Sequence, residues 1–214
     1  MTTTEFKNVL KDLTNCDPAL RPIICDGNPL DSKIFKVGIN PATKMESSFW
    51  DYYQDEKFNK TKWRDDYIKH RKERGKVKLL SPTRSKIEKL VQNSFAGYHC
   101  LETNVFSKPS SYLKDLAGKD KNTDIFNFLI RSIKPKAILI HGKDPAEFIK
   151  NELNVRFGLA KPIFVEYKTK NIVSPLEFEW EFGRIAICAT RHFIHIPMDE
   201  IETAANDLLS LMKK

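Results

Sequence analysis

Four short runs rich in apolar and β-branched residues, at 34–39 (IFKVGI), 98–104 (YHCLETN), 137–141 (AILIH) and 185–189 (IAICA), alternate along the chain with stretches of helical spacing. A run such as AILIH has no polar face, so it suits a strand covered on both sides. The helical stretches fall at 4–13, 48–54, 60–74, 83–92, 124–133, 143–153 and 198–212. The fourth opens at Ser81-Pro82, with proline suited to the first turn. Residues 163–167 and 177–182 are further candidate strands. Strands interleaved with helices predict an α/β fold: a three-layer sandwich with a central, mainly parallel four-stranded sheet flanked by helices. A length of 214 residues suits a single domain over 1–214.

Glycine usage removes several function classes. The eight glycines never lie closer than eleven residues apart. The dinucleotide loop GxGxxG, the phosphate loop GxxxxGK[ST] and the nucleophile elbow GxSxG all need closer glycines, and none can be written on this chain. HExxH is absent as well. The four cysteines, Cys16, Cys25, Cys100 and Cys188, form no CxxC pair and read as free thiols. No apolar run approaches the roughly 18 residues that span a bilayer, and MTTTEFKNVLKD has no signal-peptide core. A cytoplasmic protein that does not bind membranes is expected.

The formal charge of +8 is concentrated in one place. Residues 57–78 hold ten Lys/Arg against Asp65, Asp66 and Glu73, a net of +7 that leaves the rest nearly neutral. This basic helical insertion contains Trp63 and Tyr67, the footprint expected for a polyanion partner. The same i, i+4 aromatics equally fit the buried stripe of a solvated lysine-rich helix.

Ligands of parallel sheets bind beyond the carboxyl ends of the strands. Those ends are Asn40-Pro41-Ala42, Asn104, His141-Gly142 and Arg191-His192. Read together, they resemble the uracil-DNA glycosylase superfamily. VGINPA at 37–42 resembles the first motif (GINPG or GMNPG) of its mismatch-specific and single-strand-selective branches. LETNVFSKPS at 101–110 and FNFLIRSIKPKAILIHG at 126–142 resemble segments of the thermostable iron–sulfur branch. ICATRHF at 187–193 sits at the place of the second motif. Ala42 replaces a glycine, Phe193-Ile194 replaces Pro-Ser, and the cluster cysteines of the thermostable branch are missing.

The resemblance implies hydrolysis of the N-glycosidic bond of uracil or a related damaged base in DNA, as in base excision repair. Asn40 would orient the water, since an amide cannot abstract a proton at neutral pH. His192 would donate to the departing base as negative charge develops. Asn104 would read the base edge, with Phe49 or Trp50 stacking on it and Ile39 beside them. Lys60, Lys62, Arg64, Lys69, Arg71, Lys72 and Arg191 would hold single- or double-stranded DNA, and Phe193 or Ile194 would wedge into the gap. No lysine is required as a Schiff-base nucleophile, so a monofunctional hydrolase without a cofactor is expected. Cys188, His192 and His195 lack a further ligand pair with zinc spacing, and no metal is expected. The alternatives are a catalytically inactive nucleic-acid-binding member of the same fold, or a hydrolase of another nucleobase substrate.

Overall fold

A computed structural model describes residues 1–157, 172–180 and 183–213. Its six main strands are β1 (Ile23–Cys25), β2 (Ile34–Gly38), β5 (Cys100–Asn104), β6 (Ala137–His141), β7 (Ile172–Trp180) and β8 (Gly183–Thr190). A two-stranded hairpin, β3 (Tyr53–Gln54) and β4 (Lys57–Phe58), stands apart from them. The helices are α1 (Thr3–Thr14), α2 (Lys60–Glu73), α3 (Pro82–Gln92), α4 (Asp124–Ile133), α5 (Lys143–Phe157) and α6 (Met198–Met212).

The sheet order is β1-β5-β2-β6-β8-β7. The four expected strands form its parallel centre. The sheet is larger and mixed, however, because β1 and β7 add antiparallel edges. β1 has only three residues, too few to show a periodicity. β7 turns back on β8 as a hairpin partner, beginning earlier than the strand expected at 177–182. The strand expected at 163–167 lies outside the described residues.

Alternation along each strand divides the core in two. Phe35, Val37, Ile138, Ile140, Ile187 and Ala189 pack with α1, α4 and α5 on one face. Ile34, Ala137, Leu139, Ala186 and Cys188 pack with α3 and α6 on the other. Both faces are thus covered, as apolar runs without a polar side require.

Local chemistry explains the helix boundaries. Thr2 and Glu5 form a capping box at the start of α1, and the Ser81 hydroxyl accepts from the Arg84 N–H at the start of α3. The helix expected over 48–54 is instead a single 3₁₀ turn, Phe49–Asp51, running into the β3–β4 hairpin. Asp55 and Glu56 make the hairpin turn with φ of 47° and 61°. Two consecutive left-handed residues match the twist of a hairpin but stop a helix. Asp-Glu lacks the usual Asn-Gly signature of such a turn.

Candidate functional site

The chain runs from β2 outward to β5, then crosses back to β6 on the other side of β2. The connections therefore diverge between β2 and β6, and a crevice opens where the two loops part. A cavity of about 400 Å³ occupies this crevice. Its walls are the ends of β2, β5 and β6, the first turn of α3, part of α2 and the segment after β8.

Asn40, Asn104 and His192 all line this cavity, although they are far apart in sequence. The Asn40 amide donates from Nδ2 to the Ser110 carbonyl at 2.6 Å, which fixes its orientation. Asn104 closes against Gly38: a Cβ at position 38 would lie 2.6 Å from Asn104 Oδ1 and 3.2 Å from the His141 ring. A side chain at position 38 would therefore have to displace the Asn104 amide, the backbone φ there being ordinary.

His192 accepts at Nδ1 from the Ile194 N–H at 3.4 Å. Burial and the nearby His195 hold its pKa below the ordinary value, so at neutral pH it is uncharged. With Nδ1 accepting, the proton sits on Nε2. His141 is held neutral more strongly. Burial, then the neighbouring His192, pull it down to about 3, and its Nδ1 has no hydrogen-bond partner.

The remaining candidates are distributed differently. Phe49 is buried in an aromatic cluster, stacked on Tyr53 at 5.7 Å and on Phe58 at 5.8 Å. Trp50 packs edge-on against Phe49, with Lys11 over its ring. Ile39 packs against the core. None of the three lines the cavity; the aromatic side chain that does is Tyr67 of α2. Phe193 is fully buried and stacks on His141 at 4.7 Å, so it is not available as a wedge. Ile194 stands at the cavity wall, 49% exposed.

Within α2, Trp63 and Tyr67 are its buried stripe, stacked at 5.4 Å. Its cations face several ways. Arg64 pairs with Glu88 of α3 at 3.0 Å, Lys62 donates to the Asp51 carbonyl at 3.0 Å, and Lys69 lies 3.9 Å from Glu73. Lys72 is exposed, Lys60 is half-buried and Arg191 is exposed after β8. Arg71 lines the cavity.

The cavity also holds charged residues that sequence reasoning passed over. Lys36, 1% exposed at its side chain, pairs with Glu102 at 3.2 Å, and Arg84 pairs with the other carboxylate oxygen at 2.5 Å. Burial would raise the Glu102 carboxyl, but Arg84 and Lys36 outweigh it and bring it to about 2. Arg21 donates to the Thr43 carbonyl and lies over the Trp63 ring. A lysine inside the apolar run IFKVGI was the available signal.

Cys188, His192 and His195 do not come together as ligands. Among the described residues, the side chains that reach ligand spacing are Glu46, His70 and Glu73, within 4.8 Å of one another. No described helix is long and apolar enough to cross a membrane. Compared with protein-family models and with curated proteins, the sequence finds no match. What the fold and cavity define is an α/β protein with a mixed six-stranded sheet and a crevice at its parallel strand ends.

Proposed function

We propose that the chain is a monofunctional DNA glycosylase on a three-layer, uracil-DNA-glycosylase-like fold. It would remove uracil or a related damaged base by hydrolysing the N-glycosidic bond. The observation that carries this reading is the convergence of Asn40, Asn104 and His192 on one cavity at the strand ends.

The chemistry asks each residue for one thing. The target nucleotide swings out of the stack, at a cost of about a few kcal/mol, and places its base in the crevice. Asn104 reads the edge of uracil by donating to a carbonyl and accepting from N3–H; a mismatched base leaves buried polar groups unpaired, at about 1–3 kcal/mol each. As the C1′–N bond breaks, its electron pair leaves with the base, and neutral His192 donates from Nε2–H to the carbonyl oxygen that gains charge. Asn40, its Nδ2 engaged by Ser110, presents Oδ1 to a water. That water's oxygen bonds to C1′ and its released proton balances the base anion. Basic α2 lies beside the cavity, where phosphates of the strand would pass.

Single- and double-stranded uracil oligonucleotides test the reading. Alkali-labile sites are expected with the wild type, while Asn40→Ala loses cleavage and retains DNA binding. No labile site at high protein excess, or undiminished cleavage by the variant, sinks the proposal. Ala42 and the displacement of Phe49 and Trp50 from the cavity favour a second reading, a binding module without chemistry. Salt-dependent nucleic-acid affinity with no base release would identify it.

A further inference from the structure

Four cationic side chains, Arg21, Lys36, Arg71 and Arg84, line the cavity against one carboxylate, Glu102. That carboxylate is already shared by Lys36 and Arg84. Arg21 and Arg71 donate only to carbonyls, those of Thr43 and Lys78, and lie over the rings of Trp63 and Tyr67. Neither has a carboxylate partner among the described residues. Arg84 Nε is buried with no hydrogen-bond partner at all. Burial lowers the pKa of Lys36, yet even without it the three guanidiniums outnumber Glu102 by two, next to apolar walls formed by Ile23, Ile24 and Ile87.

A pocket for a neutral base has no need of this. Positive charges held close together against apolar side chains repel one another and are poorly hydrated, so the arrangement favours an incoming anion. Guanidinium forks match the oxygens of phosphate, and buried lysine adds a point charge behind them. The first turn of α3 adds to the same field through Thr83, which lines the cavity from a helix N-terminus. A volume of about 400 Å³ is within the range of small-molecule sites.

We propose that this cationic end of the cavity binds a phosphate monoester, either of a free mononucleotide or at the 5′ end of a nucleic-acid strand. The proposal shares the cavity with the glycosylase reading but rests on its charge alone. Arg21 and Arg71 supply the unpaired forks, while Lys36 and Arg84, tied to Glu102, fix the floor.

Titration calorimetry with inorganic phosphate, uridine 5′-monophosphate, uridine and a short single strand with or without a 5′-phosphate tests it. Inorganic phosphate should bind, and the monophosphate should bind at least about tenfold more tightly than the nucleoside, as charge-assisted bidentate contacts imply. Arg21→Gln should remove most of that advantage, and Arg21→Lys should keep part of it. Arg71→Gln, at a half-buried position on the helix surface, gives the same reading if Arg21→Gln fails to fold. A phosphate effect confined to the oligonucleotide assigns the site to strand ends; one seen with the monophosphate assigns it to free nucleotides. No preference for the phosphorylated form in either pair (uridine against its monophosphate, and the strand without against the strand with a 5′-phosphate), no binding of inorganic phosphate, or an unchanged advantage in folded Arg21→Gln and Arg71→Gln overturns the proposal. Base release measured on the same preparations separates the two ideas. Phosphate selectivity without cleavage removes only the glycosylase reading, and cleavage without phosphate selectivity removes only this one.

Discussion

Gly38 shows how a single missing side chain shapes the crevice. The atoms that a Cβ would strike are the tip of the Asn104 amide and the His141 ring. The amide can rotate away, and the backbone at 38 has no left-handed φ, so the fold itself tolerates alanine. Gly38→Ala should therefore cost little stability, under about 1 kcal/mol, as expected where a side-chain tip can yield. It should cost most of the proposed base-release activity because Asn104 is displaced. Thermal melts alongside the cleavage assay check this; full activity in a folded Gly38→Ala protein would show that Asn104 has no part in reading the base. His141 was visible as a strand-end residue, but its packing under Phe193 was not, because that contact joins positions distant in sequence.

Among the elements, α2 combines a basic surface with a buried aromatic stripe. Its basic character is evident in composition, while its attachment depends on Trp63 and Tyr67, both buried. Arg21 and Arg84 lie over the Trp63 ring at 5.6 and 4.6 Å, so this indole supports the cationic wall as well as the helix. Trp63→Ala should lower stability by about 3–5 kcal/mol, the usual cost of deleting a buried large aromatic. Chemical denaturation measures it, and a loss below about 1 kcal/mol would mean that α2 is held by something else. The elements with strong periodicity were the legible ones: α4, β6 and α6 lie where their apolar spacing places them. The 3₁₀ turn and hairpin at 49–58 were not, since Phe49, Trp50, Tyr52 and Tyr53 give similar apolar spacing in either conformation. The candidate site was legible where strand-end geometry governs it, at Asn40, Asn104 and His192. Lys36 and Glu102 were missed because an apolar run reads as core even when one member is charged, and Arg84 because a cation on a polar helix reads as solvated.

For the whole molecule, the buried polar groups beside the crevice make stability depend on pH. His141 is held at about 3, well below the ordinary 6.5, by burial and then His192. The unfolded chain therefore binds a proton that the folded one refuses, and stability falls as pH drops below 6.5 toward 3. Glu102, with a folded value of about 2 against an ordinary 4.5, adds a second loss between those limits. Urea midpoints between about pH 7.5 and about pH 5 should decline, with a limiting slope near 1.4 kcal/mol per pH unit from His141. His141→Gln should reduce the slope of that upper limb, leaving the share that His192 contributes, and keep the lower one. A wild-type midpoint constant over the range would show that His141 takes up its proton alike in the folded and unfolded chain.

Lys36 and Glu102 stand opposite one another in the register of β2 and β5. Sliding either strand by one residue would turn its charge to the opposite face of the sheet. There it would meet the apolar layer contributed by the other strands and the helices on that side, such as Ile138, Ile140 and Leu129, with no partner. An unpaired buried charge costs about 3–5 kcal/mol, much of what a domain has in hand. The ion pair therefore acts as a proofreading device during assembly: only one phase of these two strands leaves both charges answered, and the crevice forms in that phase alone.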